Sequence, residues 1–352
     1  MHYSSPLLLS LLLLLLSVPA IFLLVTPRVL PPKTLPSIPD PDEADDLALF
    51  RRATISSSTA LPLPLPRPHS PQKIAFLFLT NSDLSFAPLW ERFFRGHRHS
   101  FNLYIHLDPN SKLNSSLLTS SFVGRFIPAK ATQRGSPTLI SAARRLLAAA
   151  LLDDPSNAFF ALVSQHCVPL RSFRYVYRAL FFPDRGRRQR HKSFIEISDS
   201  DPDLLQRRYV ARGDDMMLPE VPFEKFRIGS QFFVLTRKHA VAVVRDRRLW
   251  KKFKMPCLKA RNDSCYPEEH YFPTLLSMQD RAGCTGYTLT RVNWTESVGG
   301  HPHLYGPEEV TRDLVKELRR SNSTYSYLFA RKFAPTCLEP LMRIAETFIF
   351  QD

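Results

Sequence analysis

The chain has 352 residues, of which 44% are hydrophobic and 11% aromatic, enough to bury the core of one large or two small domains. Its formal net charge is +15, and because the basic and acidic residues of positions 1–72 cancel, the whole excess lies in residues 73–352. A basic domain favours an anionic partner. Nucleic acid is disfavoured as that partner, because the sequence has no zinc-finger spacing, no RNP-like aromatic motif and no heptad repeat.

The first predicted element is a membrane anchor. Residues 6–26 form an apolar run that follows a short cytoplasmic tail of residues 1–5, and about 20 apolar residues are needed to span a bilayer. A cleaved signal peptide ending near Ala20 is the alternative, but the run continues to Val25 and favours an uncleaved anchor. Basic residues follow the span, which argues against a lumenal domain, whereas four N-glycosylation sequons argue for one. The sequons begin at Asn114, Asn262, Asn293 and Asn322.

Residues 27–72 are predicted to be a stem that holds a folded domain away from the membrane. The segment is rich in proline, and its PLPLPRP stretch favours extended polyproline II structure. A segment of this composition is expected to form no core of its own.

From residue 73 onward, buried strand patterns alternate with helical patterns. This alternation predicts an α/β domain with a mainly parallel sheet, whose ligands bind at the carboxyl ends of the strands. The sequence has neither a G-x-G-x-x-G fingerprint nor a P-loop, which disfavours dinucleotide and ATP sites. The predicted strands are 74–80, 101–107, 159–164 and 231–236, and the predicted helices are 84–94, 137–152, 171–182 and 238–245.

Five cysteines leave at least one thiol outside any intramolecular disulfide. Cys257 and Cys265 are close enough in sequence to close a loop around Asn262, and we predict that they form a disulfide. No pair has C-x-x-C spacing, so a zinc site is disfavoured.

Three acidic clusters are candidates for chemistry. Asp199 and Asp201 match the D-x-D pattern that can hold a divalent cation on a diphosphate, although the same residues fit a solvated turn. Asp214 and its neighbour fit either a substrate contact or a helix cap. Glu268 and Glu269 follow a proline, which predicts the first turn of a helix; a carboxylate there can act as a general base at the edge of a cleft, or simply start the helix.

Several motifs taken together resemble the plant branch of the core-2/I-branching β-1,6-N-acetylglucosaminyltransferase family. They are KIAFLFLT, FNLYIHLDP, QRGSPTLISAARRLLAAALLD, FFALVSQHCVPL, IGSQFFVLTRKHA, YPEEHYFPTLL, VNWT and LFARKFAP. The similarity runs from about residue 73 to residue 348. It implies a GT-A-like α/β fold with a mainly parallel central sheet, a lumenal domain of residues 73–352, and an inverting, metal-independent transfer of sugar from a UDP-sugar, with no cofactor.

The resemblance also implies roles for particular residues. Glu269 is expected to be the catalytic base, with Glu268 beside it. Lys332 matches the family's basic residue at the nucleotide diphosphate, and the neighbouring Arg331 is expected to add a second positive charge. Position rather than resemblance singles out Asp108, which follows the second strand at its carboxyl end: it is expected to contact the nucleoside, or else to end the strand in an Asp-Pro turn. The acceptor side is expected to be lined by Gly229, Ser230 and Gln231.

The sequence departs from the family pattern at one point. The animal enzymes have a second basic residue, an arginine, in the stretch that reads WTESVGGHPHLYG here, and this stretch has none. Arg291 or His301 would have to replace it in the diphosphate site. Because this arginine is missing, the alternative is a non-catalytic member of the family that binds glycans or scaffolds Golgi enzymes.

The expected donor is UDP-N-acetylglucosamine, with UDP-glucuronic acid as the alternative, and the acceptor is a glycan or glycoprotein. The expected location is the Golgi membrane, as a single-pass type II protein with its catalytic domain in the lumen. Alternatively, the basic segment of residues 185–192 binds anionic lipid headgroups, although a solvated loop fits its composition better.

Overall fold

The computed structural model describes residues 15, 17, 41–58, 71–114, 118–182, 191–258, 265–295, 297 and 300–352. The predicted anchor at residues 6–26 lies outside this set except for two positions. Among the residues described, no helix is both long enough and apolar enough to cross a membrane. Most of the basic segment at 185–192 also falls outside the set.

The described parts of the chain contain nine strands and ten α-helices, besides short 3-10 and π-helical turns. The strands are β1 (Lys73–Thr80), β2 (Phe101–Leu107), β3 (Asn157–Ser164), β4 (Val168–Pro169), β5 (Ser193–Glu196), β6 (Val234–Thr236), β7 (Cys284–Gly286), β8 (Thr290–Val292) and β9 (Phe329–Arg331). The helices are α1 (Pro41–Ser58), α2 (Ala87–Phe94), α3 (Pro137–Asp153), α4 (Phe173–Phe181), α5 (Pro202–Val210), α6 (Arg237–Arg245), α7 (Trp250–Phe253), α8 (Pro267–Asp280), α9 (Arg312–Arg319) and α10 (Leu338–Ile344).

The central sheet has six strands in the order β2-β1-β3-β6-β5-β7. The pairs β1–β2, β1–β3 and β5–β7 are parallel, whereas β6 is antiparallel to both of its neighbours. A second sheet has the order β4-β9-β8. The prediction of an α/β domain with a mainly parallel central sheet is therefore confirmed, with β6 as the reversed strand.

Strand β1 shows why the sheet is buried on both faces. Ile74, Phe76 and Phe78 point into one apolar core, which α2 and α4 complete. Ala75 and Leu77 point into a second core, which α3, α6 and α8 complete. Because successive side chains of a strand point to opposite faces, an unbroken apolar run such as KIAFLFLT marks a strand covered by helices on both sides.

The structure differs from the predicted stem in the middle of residues 27–72, where α1 forms. Asp46 onward belongs to the same compact unit as the rest of the chain up to Asp352. Phe50 and Ala53 are buried in the second core, and the guanidinium carbon of Arg144 lies 4.5 Å from the centre of the Phe50 ring. Asp46 forms an ion pair with Arg145. The proline-rich composition of residues 27–72 as a whole does not indicate this helix, which packs against the core of the domain.

The predicted disulfide between Cys257 and Cys265 is present, and Cys167, Cys284 and Cys337 are buried free thiols. Asn262 lies outside the described residues.

Strand directions bring several loops to one edge of the central sheet. Strands β1, β2, β3 and β5 all end there, and the reversed β6 begins there. The residues after β2, at the end of β5 and before β6 therefore converge, together with the start of α8. This edge is where ligands are expected in an α/β sheet.

Candidate active site

The start of α8 positions two carboxylates at this edge. The helix begins at Pro267, as predicted, and both glutamates lie in its first turn. The residue before it, Tyr266, has a left-handed backbone with φ of 33°, which a bulky residue adopts only at a cost. This conformation turns the chain sharply from the disulfide at Cys265 into the helix.

Glu269 is half-buried, and its carboxylate faces other charged groups. Burial raises its pKa, the positive charges of Arg208, Arg134 and Arg331 oppose that rise, and the negative charge of Glu196 adds to it. A carboxylate whose pKa is raised from its usual value is a stronger base, while its neighbouring cations still keep it available in the ionised form. Glu269 therefore has the surroundings that a general base needs.

Glu268 points into the protein instead. Its side chain is 3% exposed, and its Oε1 accepts a hydrogen bond of 2.9 Å from the backbone N–H of Gly135, the residue just before the cap of α3. Burial raises the pKa of this carboxyl to about 7. Glu268 thus joins the start of α8 to the loop before α3, and it leaves the outward position to Glu269.

The segment before β6, which is predicted to line the acceptor side, packs against the end of β5. The Ser230 N–H donates to Glu196 Oε2 at 2.8 Å, and the Gly229 N–H donates to the Glu269 carbonyl oxygen at 2.9 Å. A Cβ on Gly229 would lie 2.1 Å from the Glu196 carbonyl oxygen, so this close approach requires glycine. Gln231, the third predicted residue here, is half-buried in the same segment.

A cluster of basic side chains surrounds Lys332, and two of its members also act on Glu269. Burial lowers the pKa of Lys332, and the nearby charges of Arg331 and Arg134 lower it further. Arg331 stacks 4.4 Å from the centre of the Phe232 ring. The pKa of His301 is lowered by burial and by Arg134, Lys332 and Arg331, so the predicted residues Lys332, Arg331 and His301 do come together.

Two other predicted donor-site residues have different surroundings. Asp108 is buried, and its carboxylate accepts hydrogen bonds from the Asn110 N–H and from the backbone and hydroxyl of Thr132. It therefore shapes the loop between β2 and α3. The Arg291 guanidinium lies 5.2 Å from the centre of the Tyr327 ring, and no described contact joins it to Lys332.

The D-x-D residues have structural partners. Asp201 caps α5 by accepting a 2.9 Å hydrogen bond from the Leu204 N–H. Asp199 is exposed and pairs with Arg227 at 3.3 Å. Within the described residues, no group of three or more potential metal ligands occurs. Asp214 lies in a turn after α5, where no helix begins.

The described sequon asparagines differ in exposure. Asn114 and Asn322 are exposed, whereas Asn293 is half-buried and accepts a hydrogen bond from the Thr295 N–H through its side-chain oxygen. Their glycosylation stays a prediction.

Sequence reasoning missed three charged residues of the site. Arg134 precedes α3, Glu196 ends β5, and Arg208 is in the last turn of α5. Arg134 lies within the QRGSP motif and Glu196 ends a buried strand at the ligand-binding edge, so both carried a sequence signal. Arg208 carried none, because it lies among other arginines on an amphipathic helix.

Comparison with known proteins identifies the family. The profile described as Core-2/I-Branching enzyme matches residues 74–319, more than half of the chain. The chain belongs to the core-2/I-branching enzyme family. It is also 30% identical to "Glycosyltransferase BC10" of Oryza sativa subsp. japonica over 313 residues, covering 76% of this chain and 75% of the relative.

As a member of the core-2/I-branching enzyme family, the chain is a glycosyltransferase. The mixed α/β architecture with its mainly parallel central sheet fits the GT-A-like fold expected of the family. The profile match ends before β9, so Arg331 and Lys332 lie outside it.

Proposed function

We propose that the protein is an inverting, metal-independent glycosyltransferase that moves a sugar from a UDP-sugar to an acceptor hydroxyl. The observation that carries the proposal is the set of charges around Glu269, a half-buried carboxylate on which Glu196 at the end of β5 and three arginines act. A base and a cationic site side by side meet the two needs of such a transfer: a proton acceptor for the nucleophile and positive charge for the leaving group.

In this mechanism the acceptor hydroxyl oxygen attacks the anomeric carbon of the donor sugar from the side opposite the diphosphate. The new carbon–oxygen bond forms as the bond from the anomeric carbon to the β-phosphate oxygen breaks, and the configuration inverts. Glu269 takes the hydroxyl proton, and UDP leaves with the electron pair of the broken bond. The raised pKa of Glu269 makes its carboxylate a stronger base for this proton.

The departing UDP carries increasing negative charge, which fixed cations can stabilise in place of a metal ion. Lys332 and Arg331 supply two positive charges at the end of β9, and the charge of Arg331 acts on both Lys332 and Glu269. The partners of Asp199 and Asp201 favour metal independence, because one carboxylate caps a helix and the other pairs with Arg227.

We propose N-acetylglucosamine as the donor sugar and a glycan or glycoprotein as the acceptor, with UDP-glucuronic acid as the alternative donor. We also propose a single-pass type II protein of the Golgi membrane. The apolar run at residues 6–26 and the exposed sequon residues Asn114 and Asn322 support this topology.

The test incubates the full chain with a panel of UDP-sugars and mixed cell-wall and glycoprotein acceptors, with and without EDTA, and measures released UDP. We expect EDTA-resistant turnover that falls by about 100-fold to 10,000-fold in Glu269→Gln, the range for loss of a general base. Glu339→Gln, an exposed carboxylate on α10, is the matched control and should keep wild-type turnover. EDTA-sensitive turnover would contradict metal independence, and an active Glu269→Gln would contradict the assigned base.

A non-catalytic relative is the second candidate, favoured by the absence of an arginine from residues 293–305. UDP binding by the folded wild type without turnover of any donor, with suitable acceptors present, would support it.

A further inference from the structure

The basic cluster beside Glu269 includes an arginine from a distant part of the chain. Arg134 Nη1 lies 2.8 Å from His301 Nε2, and Arg134 Nη2 donates to the Gly300 carbonyl oxygen at 2.6 Å. An arginine only donates hydrogen bonds, so His301 must accept at Nε2 and carry its proton on Nδ1. The lowered pKa of His301 agrees with a neutral ring.

These contacts fix the guanidinium of Arg134 at the segment where the family pattern has its arginine and this chain has none. Gly300 and His301 belong to the stretch WTESVGGHPHLYG, and Arg134 lies 166 residues from the first of them. A side chain from the loop before α3 thus brings positive charge to a stretch that lacks it.

The cluster carries more positive than negative charge, so an anionic ligand would stabilise it. Arg134, Arg331 and Lys332 act on one another, and each pair of like charges is unfavourable when brought together. Glu269 supplies one negative charge near Arg134 and Arg331. A ligand with two adjacent negative groups would relieve the remaining repulsion, and a diphosphate has this form.

We propose that Arg134 binds the diphosphate of the donor together with Lys332, in place of the arginine missing from residues 293–305. This inference rests on the proposed use of a UDP-sugar. It makes Arg134 the second cation of the diphosphate site, a role that Arg291, held over Tyr327, does not fill.

The loop that carries Arg134 is held in place by the catalytic helix. Gly135 has φ of 70°, a left-handed conformation that suits glycine, and its N–H donates to Glu268 Oε1. The ring of Tyr266 lies under both Arg134, at 5.5 Å, and Arg208, at 4.0 Å. Glu268 is therefore a positioning residue, which sets the distance between the diphosphate cation and the base that follows it in sequence.

Calorimetric titration of the full chain with UDP and with uridine tests the role of Arg134. In Arg134→Gln we expect UDP to bind about 10-fold to 100-fold more weakly, the range for a lost charged hydrogen bond, and uridine to bind as in the wild type. Arg134→Lys, which keeps the charge without the planar fork, should fall between the two. The control Arg98→Gln removes an equally exposed arginine before β2, at the opposite edge of the sheet, and should bind UDP normally.

Glu268→Ala tests the positioning role in the same titration. It should weaken UDP binding without changing uridine binding, and Glu268→Gln, whose amide oxygen can still accept from Gly135, should restore it. A thermal melt of each variant separates this result from unfolding, since an unfolded variant would lose uridine binding as well.

The outcomes separate the two proposals. Wild-type UDP binding that Arg134→Gln leaves unchanged would overturn the role of Arg134 while the proposed transfer stands. Weaker UDP binding in Arg134→Gln supports the role even if no donor is turned over. A wild type that does not bind UDP would overturn both.

Discussion

Two pairs of acidic residues in this molecule have the same chemistry and different surroundings. Asp199 and Asp201 lie on the surface, where one pairs with Arg227 and the other caps α5. Glu268 and Glu269 begin a buried helix, and burial raises the pKa of both. The charges of the surface pair stabilise local structure. The helix pair is buried, where an ionised carboxylate is less stable and accepts a proton more readily.

The contrast shows that desolvation separates the proposed catalytic carboxylate from the structural ones more clearly than spacing does. The D-x-D pattern specifies only that two carboxylates are close in sequence. The environment of Glu269 depends on residues from four other segments, which the fold assembles around it. Altering each pair in turn tests this difference.

The largest expected difference is in turnover. The double variant Asp199→Asn/Asp201→Asn should keep its turnover of UDP-sugar within about twofold of wild type, the usual range for exposed substitutions. Glu269→Gln should lose it, as proposed above. Initial rates of UDP release under saturating donor measure both, and a loss of turnover in the double variant that added Mn²⁺ partly restores would reverse the assignment.

A smaller effect is expected on the pH dependence of kcat/KM. The base must be deprotonated, so the rate rises with pH through the pKa of Glu269. Removing the negative charge in Glu196→Gln should lower that pKa and move the acid limb of the profile to lower pH. Removing the positive charge in Arg208→Gln should raise the pKa of Glu269 and move the acid limb of the profile to higher pH.

Opposite shifts in these two variants are the diagnostic result, because a general loss of structure would not move the acid limb in opposite directions. The amide oxygen of Glu196→Gln can still accept from the Ser230 N–H, which keeps the local backbone in place. Shifts in the same direction would show that Glu269 is not the group that titrates.

The smallest expected effect is on stability at the surface pair. Asp201→Ala removes the cap of α5, which should cost about 1 kcal/mol and lower the thermal midpoint by about 1–2 °C. Asp201→Asn retains a capping oxygen and should melt as wild type does. A midpoint unchanged in Asp201→Ala would mean that the hydrogen bond to Leu204 adds nothing to stability.

Much of the fold was predictable because it depends on local patterns. The strand at 101–107 was predicted with its exact bounds, and the helix at 137–152 ends one residue later in the structure. The strand at 231–236 was predicted too long, since β6 covers only its last three residues. There the segment before the strand turns to meet Glu196 and Glu269, a contact that no local pattern contains.

The site was predictable only in part for the same reason. Proline followed by two glutamates indicated the helix start, and the resemblance to the family gave Lys332. The approach of Arg134 to His301 joins loops that are far apart in sequence, and only the folded chain shows it. Helix α1 was missed because its proline-rich flanks dominate the composition of residues 27–72.

The packing of α1 has a practical consequence for where the enzyme can be cut. Residue 73 looks like the natural first residue of a soluble fragment, since β1 begins there. A fragment that starts at that point leaves Arg145 without its partner Asp46 and uncovers the face of Arg144 that Phe50 shields. Breaking such a buried ion pair costs about 3–5 kcal/mol, so a fragment made for crystallisation or assay should begin ahead of Pro41.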